Sequence, residues 1–253
     1  MSDGVSIAKA DGILSIRFTR PDKKNAITRA MYLAMAEALL SIDGSIRAVL
    51  FSGEGDSFSA GNDLKDFLAE PPQDDNHPTI HFIRALPKVP VPMVAAVQGS
   101  AVGIGTTLLL HCDMVIAATD AVFAVPFTKL GLVPENGSSL LLPQLMGYQR
   151  AARLLLLGDS FTAEEAERFG MITQLVAPDH LESATQKMIG KLRALPAASL
   201  RATKALMQSD SGRTLGRIDE ELTVFKERLT SPELKEAATA FLEKRAPDFT
   251  KFS

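Results

Sequence analysis

The chain has 253 residues, 46% of them hydrophobic and 23% charged, with a formal charge of −3, a balance that fits a folded protein with one large core. The slight acidity and the scattering of lysine and arginine leave no electrostatic footprint for nucleic acid or an anionic membrane, so neither is expected as a partner. A single cysteine, Cys112, excludes an intramolecular disulfide and any zinc site built from several thiolates, and His77, His81, His111 and His180 lack paired-ligand spacing, so no metal is expected. The opening MSDGVSIAKADG lacks the pattern of a secretory signal, no apolar run reaches the roughly 20 residues of a membrane helix, and the final KFS departs from a peroxisomal address; a cytoplasmic location is the expectation.

In chain order, Val5 and Ile7, then Leu14, Ile16 and Phe18, alternate with polar neighbours about Asp11-Gly12, which predicts a β-hairpin. A helix dense in Met, Leu and Ala follows from Thr28 to about Asp43, then a buried strand over 48–51 and a Gly/Ser-rich loop over 52–61. Asp63 is placed to cap a short helix over 63–68, and EPPQDDNHP (70–78) reads as a surface excursion. Next come a helix near 79–86, a strand over 93–97, a Gly-rich turn, a helix from about 104 and a strand over 114–118. Strand, crossover helix and strand recurring in this way predict α/β layering. Beyond about 148 the pattern is mostly helical: Thr162 with Glu165 and Asp179 with Glu182 have capping-box spacing, Gly170 sits where a C-terminal cap belongs, and Ser231-Pro232 begins another helix. The chain divides into a core over 1–195 and a helical region over 196–253 that packs back on the core or on a neighbouring subunit.

Three segments carry the chemistry: FSAGNDL (58–64), VQGSAVGIGTTLLLHCD (97–113) and VPFTKLGLVPENGSS (125–139). In the first, small residues let the backbone come close to a ligand. In the second, Gly99, Gly103 and Gly105 lead from a strand into an apolar helix whose free first-turn N–H groups form a seat for negative charge. The spacing is neither GxGxxG nor a P-loop, and alone it also fits a tight packing corner.

In this order and spacing the segments resemble the crotonase (enoyl-CoA hydratase/isomerase) superfamily, over nearly the whole chain from RPDKKNAI (20–27) to the helical C-terminus. The resemblance implies an α/β spiral of ββα units with C-terminal helices, a homotrimer or dimer of trimers, and an acyl-CoA substrate, with coenzyme A arriving as part of that substrate and no separate cofactor. It places two backbone oxyanion donors on Asn62 and Ile104. It also matches Lys24, Ala26, Ala60, Gly61, Asp63 and Leu64 to the path of coenzyme A, and Phe127 to the site wall.

The two glutamates that hydratases of this superfamily use fall on Thr107 and Phe127, neither of which can act as a general base. One carboxylate remains, Glu135. A PF…LG…PE..SS pattern in register resembles Δ3,Δ2-enoyl-CoA isomerases of the peroxisomal type, whose catalytic glutamate falls on Glu135. Moving a proton from C2 to C4 of a 3-enoyl thioester needs one base, and the apolar Phe127, Leu132 and Val133 are expected to raise the Glu135 pKa. The implied activity is isomerisation of 3-enoyl-CoA to 2-enoyl-CoA. The alternatives are enoyl-CoA hydration or another acyl-CoA enolate reaction, a ring-bearing variant of the isomerisation, and a catalytically silent acyl-CoA binder. Read without the family, Glu135 is a carboxylate stabilised at a helix N-terminus, His111 and Cys112 are packing residues, and Asp113 is a structural acceptor.

Overall fold

The computed structural model describes residues 3–208 and 211–252. The first hairpin joins β1 (Val5–Ala10) to β2 (Ile13–Phe18). Asp11 and Gly12 both adopt left-handed conformations, with φ of 50° and 78°, as a two-residue turn between twisted strands demands. Seven more strands follow: β3 (Ala48–Gly53), β4 (Met93–Val97), β5 (Ser100–Val102), β6 (Met114–Ala118), β7 (Val122–Ala124), β8 (Ser160–Thr162) and β9 (Gln174–Val176). Six of them form one sheet in the order β1-β2-β3-β4-β6-β9, parallel from β2 onward, and β5, β7 and β8 form a smaller one.

The parallel strands read as continuous apolar runs because both faces of the sheet are covered. Along β4, Met93, Ala95 and Val97 face one core with the Arg29–Leu40 and Pro78–Ala85 helices, while Val94 and Ala96 face a second. That second core is closed by Leu181, Ala184, Ile189 and Leu192 of the Leu181–Ala194 helix. After each central strand the chain steps up into a second layer: Ser59 after β3, β5 after β4, and β7 after β6. These pieces bridge side by side, Ser59 to Ala101 and Ala101 to Phe123. The repeated step from long strand to short strand to helix winds the chain into a spiral, and it lines up the loops that bear the site.

Several expectations hold: Thr162 and Glu165 form a reciprocal capping box, Ser231 accepts from Leu234 N–H with Pro232 in the first turn, and Gly170 is left-handed with φ 84°. Others do not. Asp179 and Glu182 form no capping box; the 3-10 turn Pro178–His180 occupies that place and leads into a helix without a side-chain cap. The stretch after 148 contains two further strands, β8 and β9. At three residues each they are too short to leave an alternating pattern.

The residues after 196 complete the same core. Lys204, 4% exposed, donates from Nζ to Val91 O (2.8 Å) and to Asp113 Oδ2 (2.7 Å), and Met93 N–H donates to the same carboxylate oxygen. Asp113 is thus a structural acceptor tying β4 to the Ala197–Met207 helix. Ile218, Leu222 and Phe225 of the Ser211–Arg228 helix enter the main hydrophobic cluster. Among the described residues no helix is long and apolar enough to cross a membrane.

Candidate active site

Two backbone N–H groups meet at one cavity. Ala60 N–H donates to Lys24 O (2.8 Å), Ile27 N–H to Gly61 O (2.8 Å) and Asp63 N–H to Ile27 O (2.9 Å). This short ladder uses the groups on one side of the strand and leaves Asn62 N–H facing the other way. Gly61, at φ +87°, has no room for a side chain: a Cβ would lie 2.7 Å from Val102 O. Opposite, Gly103 turns the chain from β5 into the single helical turn Ile104–Thr107, whose first N–H groups have no acceptor within the helix. A Cβ on Gly105 would fall 2.8 Å from Ser59 O, so its absence allows that turn to lie against the 59–61 strand. Among the described residues neither Asn62 N–H nor Ile104 N–H meets an acceptor, and both residues line the cavity. The Asn62 side chain accepts from the buried Tyr32 hydroxyl (2.5 Å). Burial first, then the charges of Glu135 and Asp66, hold that phenol well above its ordinary pKa.

Glu135 reaches the same cavity from the segment after β7. It is 5% exposed, and burial pushes its pKa up to about 8, with the charge of Glu221 adding to the rise. Opposing this, Thr107 Oγ1 donates to Glu135 Oε1 at 2.7 Å. The turn that aims Glu135 inward holds two successive left-handed residues, Asn136 (φ 60°) and Gly137 (φ 75°). It is fastened on every side. Ser138 donates from its hydroxyl to Glu135 O, and His111 donates from Nε2 to Asn136 O (2.9 Å). Burial lowers the His111 pKa to about 4, which keeps that imidazole neutral. Glu221 accepts from Gly137 N–H (2.6 Å) and Ser139 N–H (2.8 Å). The carboxylate at the N-terminus of the Ser138–Met146 helix is therefore Glu221, and Glu135 is left free of that structural duty.

The cavity holds about 110 Å³ and its walls are mostly apolar. Ala60, Gly61, Asn62, Leu64, Ile104, Phe127 and Glu135 all line it. Lys24, Ala26 and Asp63 do not. Lys24 is exposed and left-handed (φ 48°), and its carbonyl accepts from Ala60 N–H. Ala26 gives its carbonyl to Arg20 (2.7 Å). Asp63 caps the Leu64–Ala69 helix and pairs with Arg20 at 3.0 Å. Sequence reasoning missed Phe225, Leu234 and Phe241, which complete the wall from the C-terminal helices, and it missed Tyr32, Glu221 and the bond from Thr107. A mostly helical pattern and the Ser231-Pro232 start marked those helices, and neither signal distinguishes a core face from a pocket wall. Among the described residues no cluster of three or more His, Cys, Asp or Glu could hold a metal ion.

The spiral and its two-donor cavity define the class. The fold is the crotonase fold, and the structure of an enoyl-CoA hydratase/isomerase from Pseudoalteromonas atlantica T6c matches with a TM-score of 0.92 at 39% identity, covering 98% of this chain and 100% of that one. The chain belongs to the enoyl-CoA hydratase/isomerase family, whose profile matches residues 8–251. It is 36% identical to 1,2-epoxyphenylacetyl-CoA isomerase of Escherichia coli (strain K12) over 94% of this chain and 95% of that protein. It is also 36% identical to enoyl-CoA delta isomerase 2 of Rattus norvegicus over 96% of this chain, of which it spans 64% of the length.

Proposed function

We propose that the protein isomerises 3-enoyl-CoA thioesters to their 2-enoyl isomers. The observation that carries this reading is a lone carboxylate, Glu135, in the wall of an apolar cavity that also exposes two unpaired backbone N–H groups. Glu135 removes a proton from C2 as the electrons of that bond move into a dienolate. The charge comes to rest on the thioester oxygen, between Asn62 N–H and Ile104 N–H, and the same carboxyl group returns the proton to C4. A pKa near 8 suits this work, because the group must both take and give a proton near neutrality. Thr107 and Phe127 offer no second base to activate water, which weighs against hydration.

The test is turnover of trans-3-hexenoyl-CoA, followed by ultraviolet absorbance, beside hydration of crotonyl-CoA. Isomerisation should fall by about 10²–10⁴-fold in Glu135→Gln. In the native protein kcat/KM should rise with pH through an acid limb near the folded Glu135 pKa of about 8. Brisk hydration by both proteins sinks the proposal, and so does an acid limb at an ordinary glutamate pKa. A ring-bearing acyl group is the second reading, supported by the Escherichia coli relative and by Phe67, Phe127 and Phe225 in the wall; faster turnover of an aryl thioester than of the hexenoyl one would select it.

A further inference from the structure

We infer that Glu221, on the Ser211–Arg228 helix, is a positioning residue that fixes the segment bearing Glu135 and supplies part of its electrostatic setting. The inference rests on the isomerase reading for its catalytic meaning, but its geometry stands independently. Both Glu221 oxygens are committed, Oε2 to Gly137 N–H and Oε1 to Ser139 N–H, across 84 and 82 residues of chain. Those amides lie two and four residues after Glu135, and Gly137, the cap residue of the Ser138–Met146 helix, has no side chain with which to satisfy them. Glu221 is 7% exposed; burial raises its pKa, while the N–H groups it accepts from and the Arg217 charge favour the ionised form and oppose that rise.

Removing it would strand two donors beside two left-handed residues, and the turn would lose what holds it against its own strain. The negative charge so placed also disfavours ionisation of Glu135. Among the described residues, Tyr32 feels the charge of Glu135 and its phenol is held well above its ordinary pKa, His111 is neutral and donates to Asn136 O, and the Arg217 charge acts on Glu221 itself. Phe225, four residues further along the same helix, lines the cavity and meets Phe67 edge-to-face at 6.4 Å. A general loosening of the helix would therefore disturb substrate binding, whereas loss of the Glu221 clamp alone would disturb the base. The two effects separate in kinetics.

The experiment compares the native chain with Glu221→Gln and Glu221→Asp. Glutamate labelled with carbon-13 at the side-chain carboxyl reports the titration of Glu135 in substrate-free protein, with Glu135→Gln to assign the signal. In Glu221→Gln the Glu135 midpoint should move down by about half a unit or more, and kcat should fall roughly tenfold with KM within about twofold. In Glu221→Asp, which keeps the charge but is a methylene shorter, the midpoint should stay close to native while kcat still falls. An unmoved midpoint together with native kcat in Glu221→Gln overturns the inference, and so does a loss carried by KM. If Glu221→Gln does not fold, Glu221→Asp decides on the same split between kcat and KM. A native protein with no isomerase turnover, whose Glu135 midpoint nonetheless shifts in Glu221→Gln, would overturn the isomerase reading and leave the positioning role standing.

Discussion

Asn62 and Ile104 arrive at the cavity from strands that run side by side, and main-chain hydrogen bonds hold their loops: Ile27 to Gly61, Asp63 to Ile27, and Gly103 to Ala124. Glu135 arrives from a strained turn held largely by side chains from elsewhere, Thr107 from 28 residues earlier and Glu221 from more than 80 residues later. The two arms accordingly differ in what they tolerate. The first depends on where the backbone goes and is indifferent to most side chains, provided the glycines remain. The second depends on particular oxygen atoms at particular distances, and a conservative change far along the chain can disturb it.

Among changes that spare Glu135 itself, breaking the backbone arm should have the largest effect. In Gly61→Ala the new Cβ would meet a carbonyl oxygen at 2.7 Å on a residue already at φ +87°, which forces Asn62 N–H out of place. Turnover of the 3-enoyl thioester should drop by about 10²–10³-fold, the usual cost of losing one oxyanion donor; native kcat in this variant would show that Asn62 N–H is not used.

The base arm can be sharpened through stability. Its folded pKa lies near 8 against an unfolded value of 4.5. Below pH 4.5 the carboxyl is protonated in both states. Between pH 4.5 and about 8 the unfolded chain has released a proton that the folded chain retains. Stability from this group is therefore lost as pH rises, by about 1.4 kcal/mol per unit and on the order of a few kcal/mol across the window. Denaturant titrations should show Glu135→Gln gaining on the native protein between pH 5 and pH 8. A constant difference between the two would contradict the buried, proton-retaining carboxyl.

The smallest effect expected is that of Thr107→Val, which keeps the shape and removes the donor to Glu135 Oε1. Turnover should fall by roughly tenfold, and the acid limb should move to higher pH because that hydrogen bond lowers the Glu135 pKa. Thr107→Ser should restore both. A valine variant with the native pH profile would mean that the hydroxyl does not govern the carboxylate.

The same division explains what was legible in the sequence. The α/β layering announced itself through local chemistry, Asp11-Gly12 in the hairpin and unbroken apolar strands such as Met93–Val97, whereas the spiral winding came from the family resemblance. Asn62, Ile104 and Glu135 could be named because their segments carry ordered motifs that match the family, and all three line one cavity. Glu221, Tyr32 and Phe225 were not, since each is one residue on an ordinary amphipathic helix and gains its meaning from a contact that only the folded chain creates. Lys24 adds a contact of the same kind: its carbonyl accepts from Ala60 N–H, a main-chain bond that no side-chain identity announces.

The pairing of Tyr32 with Asn62 has an optical consequence. The chain has no tryptophan and two tyrosines, and they sit at opposite extremes: Tyr148 is 71% exposed on the outer surface, while Tyr32 is sealed in the interior with its hydroxyl 2.5 Å from the Asn62 side-chain oxygen. Light absorbed in the tyrosine band therefore divides between one solvent-bathed ring and one ring joined by a hydrogen bond to the residue whose N–H is assigned to the substrate's developing charge. The protein carries its own chromophore beside its candidate site.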